Sequence, residues 1–205
     1  SLDFKIYNPK AVRNKISSCK NELVDAEEFQ KYAMTDFDKN VYKVYKKYTS
    51  KLLNNNSLDF DDLLMLPIFL LRANIDILKK YQERYKYILI DEYQDTNEAQ
   101  YVLSKMISSK YKNICVVGDE SQSIYSFRGS NYQNILNFEK DYNHPKVVLL
   151  EENYRSTSII LNAANSVIKN NKQRKEKNLW TTNKDGNKII YHKALNEKDE
   201  AIYVV

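Results

Sequence analysis

Three short apolar runs occupy the middle of the chain: YILI at 87–90, ICVV at 114–117 and VVLL at 147–150. Helical patterns separate them, NEAQYVLSKMISSK at 97–110 and SNYQNILNFEK at 130–140. Apolar runs of this length, alternating with helices, are typical of buried parallel strands joined by crossover helices. The sequence therefore predicts an α/β fold built on a parallel sheet.

The flanking segments carry helical periodicity. Residues 1–56 are predicted to be helical, and a second helical stretch follows at 60–81. Within that stretch Pro67 lacks the backbone donor, so it is expected to end or kink the helix. Between 158 and 168 the pattern predicts another helix, with Ser156 or Thr157 as its cap. The residues expected to face inward from this helix are Ile160, Ala163, Ala164 and Val167. IIYHKAL at 189–195 is predicted to begin a further strand.

Composition excludes several classes. No apolar run approaches the roughly 20 residues that cross a bilayer, and the N-terminus has no secretory signal, so a cytoplasmic protein without a membrane segment is expected. The net charge of +5 is compatible with a polyanionic partner and does not establish one. The chain has only three glycines, Gly118, Gly129 and Gly186, so it contains no GxxxxGK[ST] phosphate-binding loop.

Polar groups follow each apolar run. Asp91 and Glu92 come directly after the first run, and GDESQSIYSFRG at 118–129 follows the second. NYRST at 153–157 follows the third, immediately before a helix. Ligands of open α/β sheets bind outside the carboxyl ends of the strands. These three segments are therefore the candidate site.

Together with LDFDDLL at 58–64, the segments DEYQDTN, GDESQSIYSFRG and NYRST resemble motifs of superfamily 1 helicases of the UvrD/Rep/PcrA type, closest to the PcrA type. The resemblance covers essentially the whole chain. It implies an incomplete RecA-like (P-loop NTPase) parallel sheet with a helical insertion. It divides the chain into part of that insertion (1–56), the later half of the first motor domain (57–148) and the start of a second RecA-like domain (149–205).

The resemblance also implies roles in ATP hydrolysis. Asp91 would hold Mg²⁺, Glu92 would deprotonate the attacking water, and Gln122 would sense the γ-phosphate. Arg155 would stabilise charge on the transferred phosphoryl group, and Tyr154 would stack on the adenine. Gln94 is expected among the nucleotide contacts as well.

By the same resemblance, Tyr125, Phe127 and Arg128 would contact single-stranded DNA, with the rings stacking on bases. Many PcrA-type proteins carry Trp where this chain has Phe127, so a smaller ring performs that stacking. The alternative is that Phe127 packs in the core and Arg128 forms an ion pair.

The implied parent is an ATP-dependent 3′ to 5′ DNA helicase of repair or replication, acting on single-stranded and partly duplex DNA. This internal segment is expected to be inactive alone and to self-associate through uncovered strands. A DEAD-type RNA helicase is opposed by DEYQ at 91–94 and by the aromatic residues that follow Gln122. A non-catalytic scaffold for DNA or protein binding is opposed by the joint presence of Asp91, Glu92, Gln122 and Arg155.

Overall fold

A computed structural model of the chain describes residues 7–143, 145–172 and 175–205, with the side chain of Arg128 outside that description. The chain forms two compact units, Ser1–Pro145 and Lys146–Val205. The helices of the first unit are α1 Pro9–Asn21, α2 Ala26–Gln30, α3 Asp36–Asn54, α4 Asp62–Ala73, α5 Ile75–Arg84, α6 Glu98–Ser108 and α7 Gln133–Asp141. Its strands are β1 Ile88–Ile90 and β2 Ile114–Val116. The second unit contains α8 Ser158–Ile168 and α9 Glu197–Val204.

Side-chain caps explain where several helices begin. Asn8, Asp25 and Thr35 each accept a hydrogen bond from a backbone N–H of the first turn of α1, α2 and α3. Helix α6 begins with a capping box, in which Asn97 and Gln100 each bond the other's backbone N–H.

The first unit has two apolar cores. The helical segment packs α1, α2 and α3 around Val12, Ile16, Cys19, Phe29, Val41 and Tyr45. Leu23, Met65, Ile68 and Ala99 form the second core, which joins α4 to α6. Val41 and Tyr45 of α3 are almost fully buried in the first of these cores.

The α/β class is confirmed by a small sheet in which β1 and β2 pair in parallel, with Ile88 opposite Ile114 and Ile90 opposite Val116. Burial of these strands was predicted, but it holds only in part: Ile88, Ile90, Ile114 and Val116 are half-buried. Leu89 is 79% exposed, and its neighbour Cys115 is exposed as well. The difference follows the alternation of side chains along a strand, which puts Leu89 and Cys115 on the other face of the pair.

Two sequence predictions about regular structure were wrong, and of the two outcomes predicted at Pro67, a helix end or a kink, the end is excluded. VVLL at 147–150 forms no strand, because among the described residues no neighbouring segment shares backbone hydrogen bonds with it. In the described part of that unit the only β-bridge joins Glu152 and Trp180. Residues 189–195 likewise contain no strand, and Ile190 is 78% exposed. Helix α4 does not end at Pro67 but continues to Ala73.

The inward face predicted for α8 was also wrong. Ile160 and Val167 are exposed, whereas Leu161 and Asn165 are buried. The Asn165 amide donates to the Leu179 carbonyl at 2.8 Å and its oxygen accepts from the Leu179 N–H at 3.3 Å. Two hydrogen bonds to the chain at Leu179 therefore decide which side of the helix is covered.

Candidate functional site

The parallel pairing of β1 and β2 brings the polar segments after both strands to one edge of the sheet. The pairing continues past the strands, since the Val117 N–H donates to Ile90 O at 2.8 Å and the Tyr93 N–H donates to Val117 O at 2.9 Å. Asp91 and Glu92 therefore lie beside the loop that begins at Gly118. This arrangement is the one expected for a ligand site at the carboxyl ends of parallel strands.

Asp91 and Glu92 are both exposed at this edge. Glu92 has a left-handed backbone, φ 50° and ψ 42°, and its N–H donates to Asp91 Oδ1 at 2.9 Å. Left-handed backbone is unfavourable for a residue with a Cβ atom and concentrates at functional positions. The conformation turns two consecutive carboxylates outward, where a cation and a water molecule can reach them.

The donor set fits Mg²⁺. Asp91 Oδ2 has no hydrogen-bond partner among residues that the structure describes, so a hard carboxylate oxygen is available. Within the same residues no three His, Cys, Asp or Glu side chains form a metal-binding group. Mg²⁺ is commonly held by one or two carboxylates together with substrate phosphates. The carboxylate of Asp91 therefore fits a Mg²⁺ site of that kind.

Gln94, expected from the sequence to contact nucleotide, is 1% exposed. Its amide nitrogen donates to Glu92 Oε2 at 2.8 Å, and its oxygen accepts from the Asp119 N–H at 2.9 Å. Both ends of the side chain thus bond protein groups within the site.

Gln122 lies on a 3₁₀ turn, Glu120–Gln122, at the other side of this edge. The turn begins at Asp119, whose Oδ1 accepts from the Ser121 N–H at 2.9 Å. Gln122 is exposed, and its amide nitrogen donates to Asp119 Oδ2 at 2.9 Å. The side chain is therefore oriented by Asp119 while its amide oxygen stays accessible.

The aromatic segment that follows forms a second 3₁₀ turn, Ser126–Arg128. Phe127 is 76% exposed, so it does not pack in the core, and its ring centroid lies 6.0 Å from that of Tyr125. Gly129 ends the turn with φ 85°, a conformation that suits glycine. The side chain of Arg128 lies outside the described residues.

A cleft of about 580 Å³ adjoins this turn within the first unit. Asn14, Ser17 and Asn21 of α1 form one wall, and Phe127 and Asn131 belong to the other. Glu22 and Glu98 also line it. The cleft thus offers an aromatic face, amides and hydroxyls together with negative charge.

The second unit carries Tyr154 and Arg155 on the loop before α8. Asn153 accepts from the N–H groups of Arg155 and Ser156, at 3.0 and 2.8 Å, which fixes the loop. Both side chains are exposed. The Tyr154 hydroxyl donates to Glu152 at 2.7 Å, and this carboxylate raises the pKa of the phenol.

Asparagine amides that the sequence did not single out hold the site together. Asn131 N–H and Asn134 Nδ2 both donate to Thr96 O, at 2.9 and 3.1 Å, which joins the acidic loop to α7. Asn97 donates to Asn21 of α1. The only sequence signal for Asn97 is its spacing to Gln100, the capping-box pattern. Asn21 gives no sequence signal, because its partner lies 76 residues away.

No helix in the described part of the chain has both the length and the apolar character that a bilayer crossing requires.

Comparison with known proteins gives matches over nearly the whole chain. Residues 1–143 match the UvrD/REP helicase N-terminal domain, and residues 148–205 match the UvrD-like helicase C-terminal domain. The chain is 52% identical over 204 residues to the ATP-dependent DNA helicase PcrA of Bacillus subtilis (strain 168). It is 51% and 50% identical over 205 residues to the PcrA helicases of Staphylococcus epidermidis and Staphylococcus aureus. Each alignment covers 100% of this chain and 28% of the relative.

Proposed function

The chain belongs to the UvrD/Rep helicase family, and from that premise we propose that the protein containing it is an ATP-driven DNA helicase. It would translocate 3′ to 5′ on single-stranded DNA and unwind partly duplex DNA, in the cytoplasm, during repair or replication. The observation that carries this proposal is the pair of exposed carboxylates, Asp91 and Glu92, at the end of β1, with Glu92 in a left-handed conformation.

We assign residues 57–148 to a RecA-like motor domain and residues 1–56 to a helical insertion in that domain. Residues 149–205 are assigned to a second RecA-like domain. The parallel β1–β2 pair supports the first assignment. The division into compact units at Pro145 and Lys146 lies close to the proposed boundary and supports the second.

In this proposal Glu92 accepts a proton from the water that attacks the γ-phosphate. Asp91 holds Mg²⁺, which when bound neutralises charge on the phosphates. Gln122 contacts the γ-phosphate through its accessible amide, and Arg155 stabilises the transferred phosphoryl group. Tyr154, whose ring is 76% exposed, stacks on the adenine. The chain by itself contains no phosphate-binding loop and should not hydrolyse ATP.

The cleft beside Phe127 supports a role in binding single-stranded DNA. Its carboxylates, Glu22 and Glu98, repel phosphate, whereas its amides and aromatic ring suit a base. We propose that a base enters against Phe127 and that the phosphates stay outside the cleft. Arg128, the next residue in the sequence, is the candidate phosphate contact. Stacking on an aromatic face tolerates any base, as translocation requires.

Replacing Glu92 by Gln in the full-length protein tests the proposed hydrolysis. The substitution keeps the shape and removes the base, so ATP should still bind while DNA-stimulated turnover falls by roughly 10²–10⁴-fold. Glu83→Gln, which removes an exposed carboxylate from α5, is the control and should leave turnover unchanged. Turnover at the wild-type rate in Glu92→Gln would show that Glu92 is not the base. An absence of ATP turnover in the wild-type protein would favour the scaffold alternative.

A further inference from the structure

Gln94 connects the two strand ends of the site. Its side chain lies between the acidic loop after β1 and the loop after β2, and it is 1% exposed. The amide nitrogen bonds the Glu92 carboxylate at 2.8 Å, while the amide oxygen bonds the Asp119 N–H at 2.9 Å. One neutral side chain therefore contacts both the general base and the neighbouring loop.

The connection continues through Asp119. The carboxylate of this residue accepts from the Gln122 amide at 2.9 Å. A chain of three hydrogen bonds thus links Glu92 to Gln122 by way of Gln94 and Asp119. Glu92 is the proposed base and Gln122 the proposed γ-phosphate sensor. Both are therefore held by the same two hydrogen-bonded residues, Gln94 and Asp119.

The packing around Gln94 leaves it little freedom. A Cβ atom at Gly118 would lie 2.6 Å from Gln94 Oε1 and 2.9 Å from Ile135 Cδ1, so a larger residue there would have to displace the amide or the isoleucine. Hydrogen bonds at both ends oppose rotation of the side chain. Glu92 in turn has a left-handed backbone, which is unfavourable for a residue with a Cβ atom, and the hydrogen bond from Gln94 helps to hold it.

We propose that Gln94 is a positioning residue that holds the Glu92 carboxylate and the loop carrying Gln122 in one geometry. The proposal rests on the hydrolytic function proposed above and replaces the nucleotide contact expected for Gln94 from the sequence. A neutral amide suits this role because it orients a carboxylate without placing a competing charge beside it. Gln94 acts on the reaction through Glu92 and Gln122 and needs no contact with ATP.

The test uses steady-state ATPase kinetics of the full-length protein with single-stranded DNA present. Gln94→Leu removes both hydrogen bonds at nearly constant volume. We expect kcat to fall by roughly 10–100-fold, the range found when a partner that orients an active group is lost. The KM for ATP and the affinity for a fluorescent ATP analogue should stay unchanged, because both ends of the Gln94 side chain bond protein groups.

Gln82→Leu is the matched control. Gln82 is another buried amide, 8% exposed, whose nitrogen donates to Met106 O and Ser109 Oγ at 2.8 Å each, away from the site. The two variants should lose similar thermal stability, but Gln82→Leu should keep the wild-type kcat. Should Gln94→Leu fail to fold, Gln94→Glu keeps the acceptor for the Asp119 N–H and puts a carboxylate beside Glu92. It should also lose kcat while it binds ATP.

A double-mutant cycle separates this proposal from the hydrolytic function itself. In a Glu92→Gln background, Gln94→Leu should cost less activity than it does in the wild type, because one of the two groups that it positions is already gone. A raised KM with an unchanged kcat, an equal kcat loss in Gln82→Leu, or full additivity in the cycle would each overturn the positioning role. Wild-type turnover in Glu92→Gln alone would instead show that Glu92 is not the base, and an absence of DNA-stimulated turnover in the wild-type protein would overturn the proposed hydrolytic function.

Discussion

At the scale of single residues, exposure distinguishes side chains that support the fold from those available to a ligand. Tyr93 is fully buried and packs edge-on against Phe138, with ring centroids 5.9 Å apart. Phe127, in the loop after the neighbouring strand, leaves 76% of its surface open. An exposed ring beside a polar cleft has no role in the core of its unit, which makes it the clearest candidate for a stacking contact.

Phe127→Ala in the full-length protein should weaken binding to oligo-dT by roughly 1–3 kcal/mol, the contribution of one base stack. Stacking releases no counterions, so the slope of log K against log salt should stay the same. Arg128→Ala should instead make that slope shallower by roughly 0.7 for each phosphate contact that is lost. Fluorescence anisotropy over a salt series measures both quantities.

Tyr87 provides a matched control for Phe127. It is also 76% exposed, but it precedes β1 and so lies at the opposite edge of the sheet. Tyr87→Ala should leave DNA affinity unchanged. Equal affinities of Phe127→Ala and Tyr87→Ala would remove the stacking role from Phe127.

At the scale of elements, a buried ion cluster joins α1 to the start of α4. Lys20 is fully buried, and its ammonium lies 2.7 Å from both Asp59 and Asp62. Asp59 and Asp62 also accept from each other's backbone N–H, which closes the first turn of α4. Burial acts to raise the pKa of Asp59, but the hydrogen bonds from Lys20 and the Asp62 backbone outweigh it, and the pKa is lowered from its ordinary 3.8.

Lys20→Met should lower the free energy of unfolding of the chain by roughly 3–5 kcal/mol near neutral pH, because it leaves the buried carboxylate of Asp62 and the partly buried one of Asp59 without a cation. A lowered carboxyl pKa stabilises the fold above about pH 3.8, and this contribution is lost as the pH falls through the lower, folded-state pKa. The difference between wild type and variant should therefore shrink below pH 4. Urea denaturation between pH 3 and 7 measures it.

Lys46→Met is the surface control for this prediction. Lys46 pairs with Glu27 at 2.9 Å, but both side chains are more than half exposed. Removing the pair should change stability by roughly 0–1 kcal/mol. Equal losses in Lys20→Met and Lys46→Met would show that the buried cluster does not join the two helices.

At the scale of the whole molecule, the outer face of the β1–β2 pair is uncovered. Leu89 and the exposed Cys115 lie side by side on it, and Val117 beyond the strand is 48% exposed. Apolar strand faces next to unpaired edges favour association with another chain. We therefore expect two copies of the 205-residue chain to associate through this face.

Light scattering across a wide concentration range tests the association. The average mass of the wild-type chain should rise with concentration, whereas Leu89→Lys should remain monomeric, because a charge on this face must be desolvated on contact. Leu53→Lys, at a 60% exposed leucine on α3, should behave as wild type. A monomeric wild-type chain at every concentration would contradict the expectation.

The sequence by itself determined which polar residues follow the two strands. An apolar run that changes to acidic residues places Asp91 and Glu92 after β1, because this change is a local feature of the sequence. The family was likewise readable from short motifs and is confirmed by the matches to both helicase domains. The start of a helix at a capping residue, as at Asn97, can also be predicted from the local sequence.

Only the tertiary structure decided which apolar segments found partners. VVLL has the composition of a strand and forms none, because a strand exists only where a neighbour takes its backbone hydrogen bonds. The covered face of α8 depends on Asn165 meeting Leu179, which no periodicity reveals. Gln94 is a similar case within the site. The positioning role proposed for it depends on the N–H of Asp119, which is 25 residues away in the sequence and lies 2.9 Å from the amide oxygen only in the folded chain.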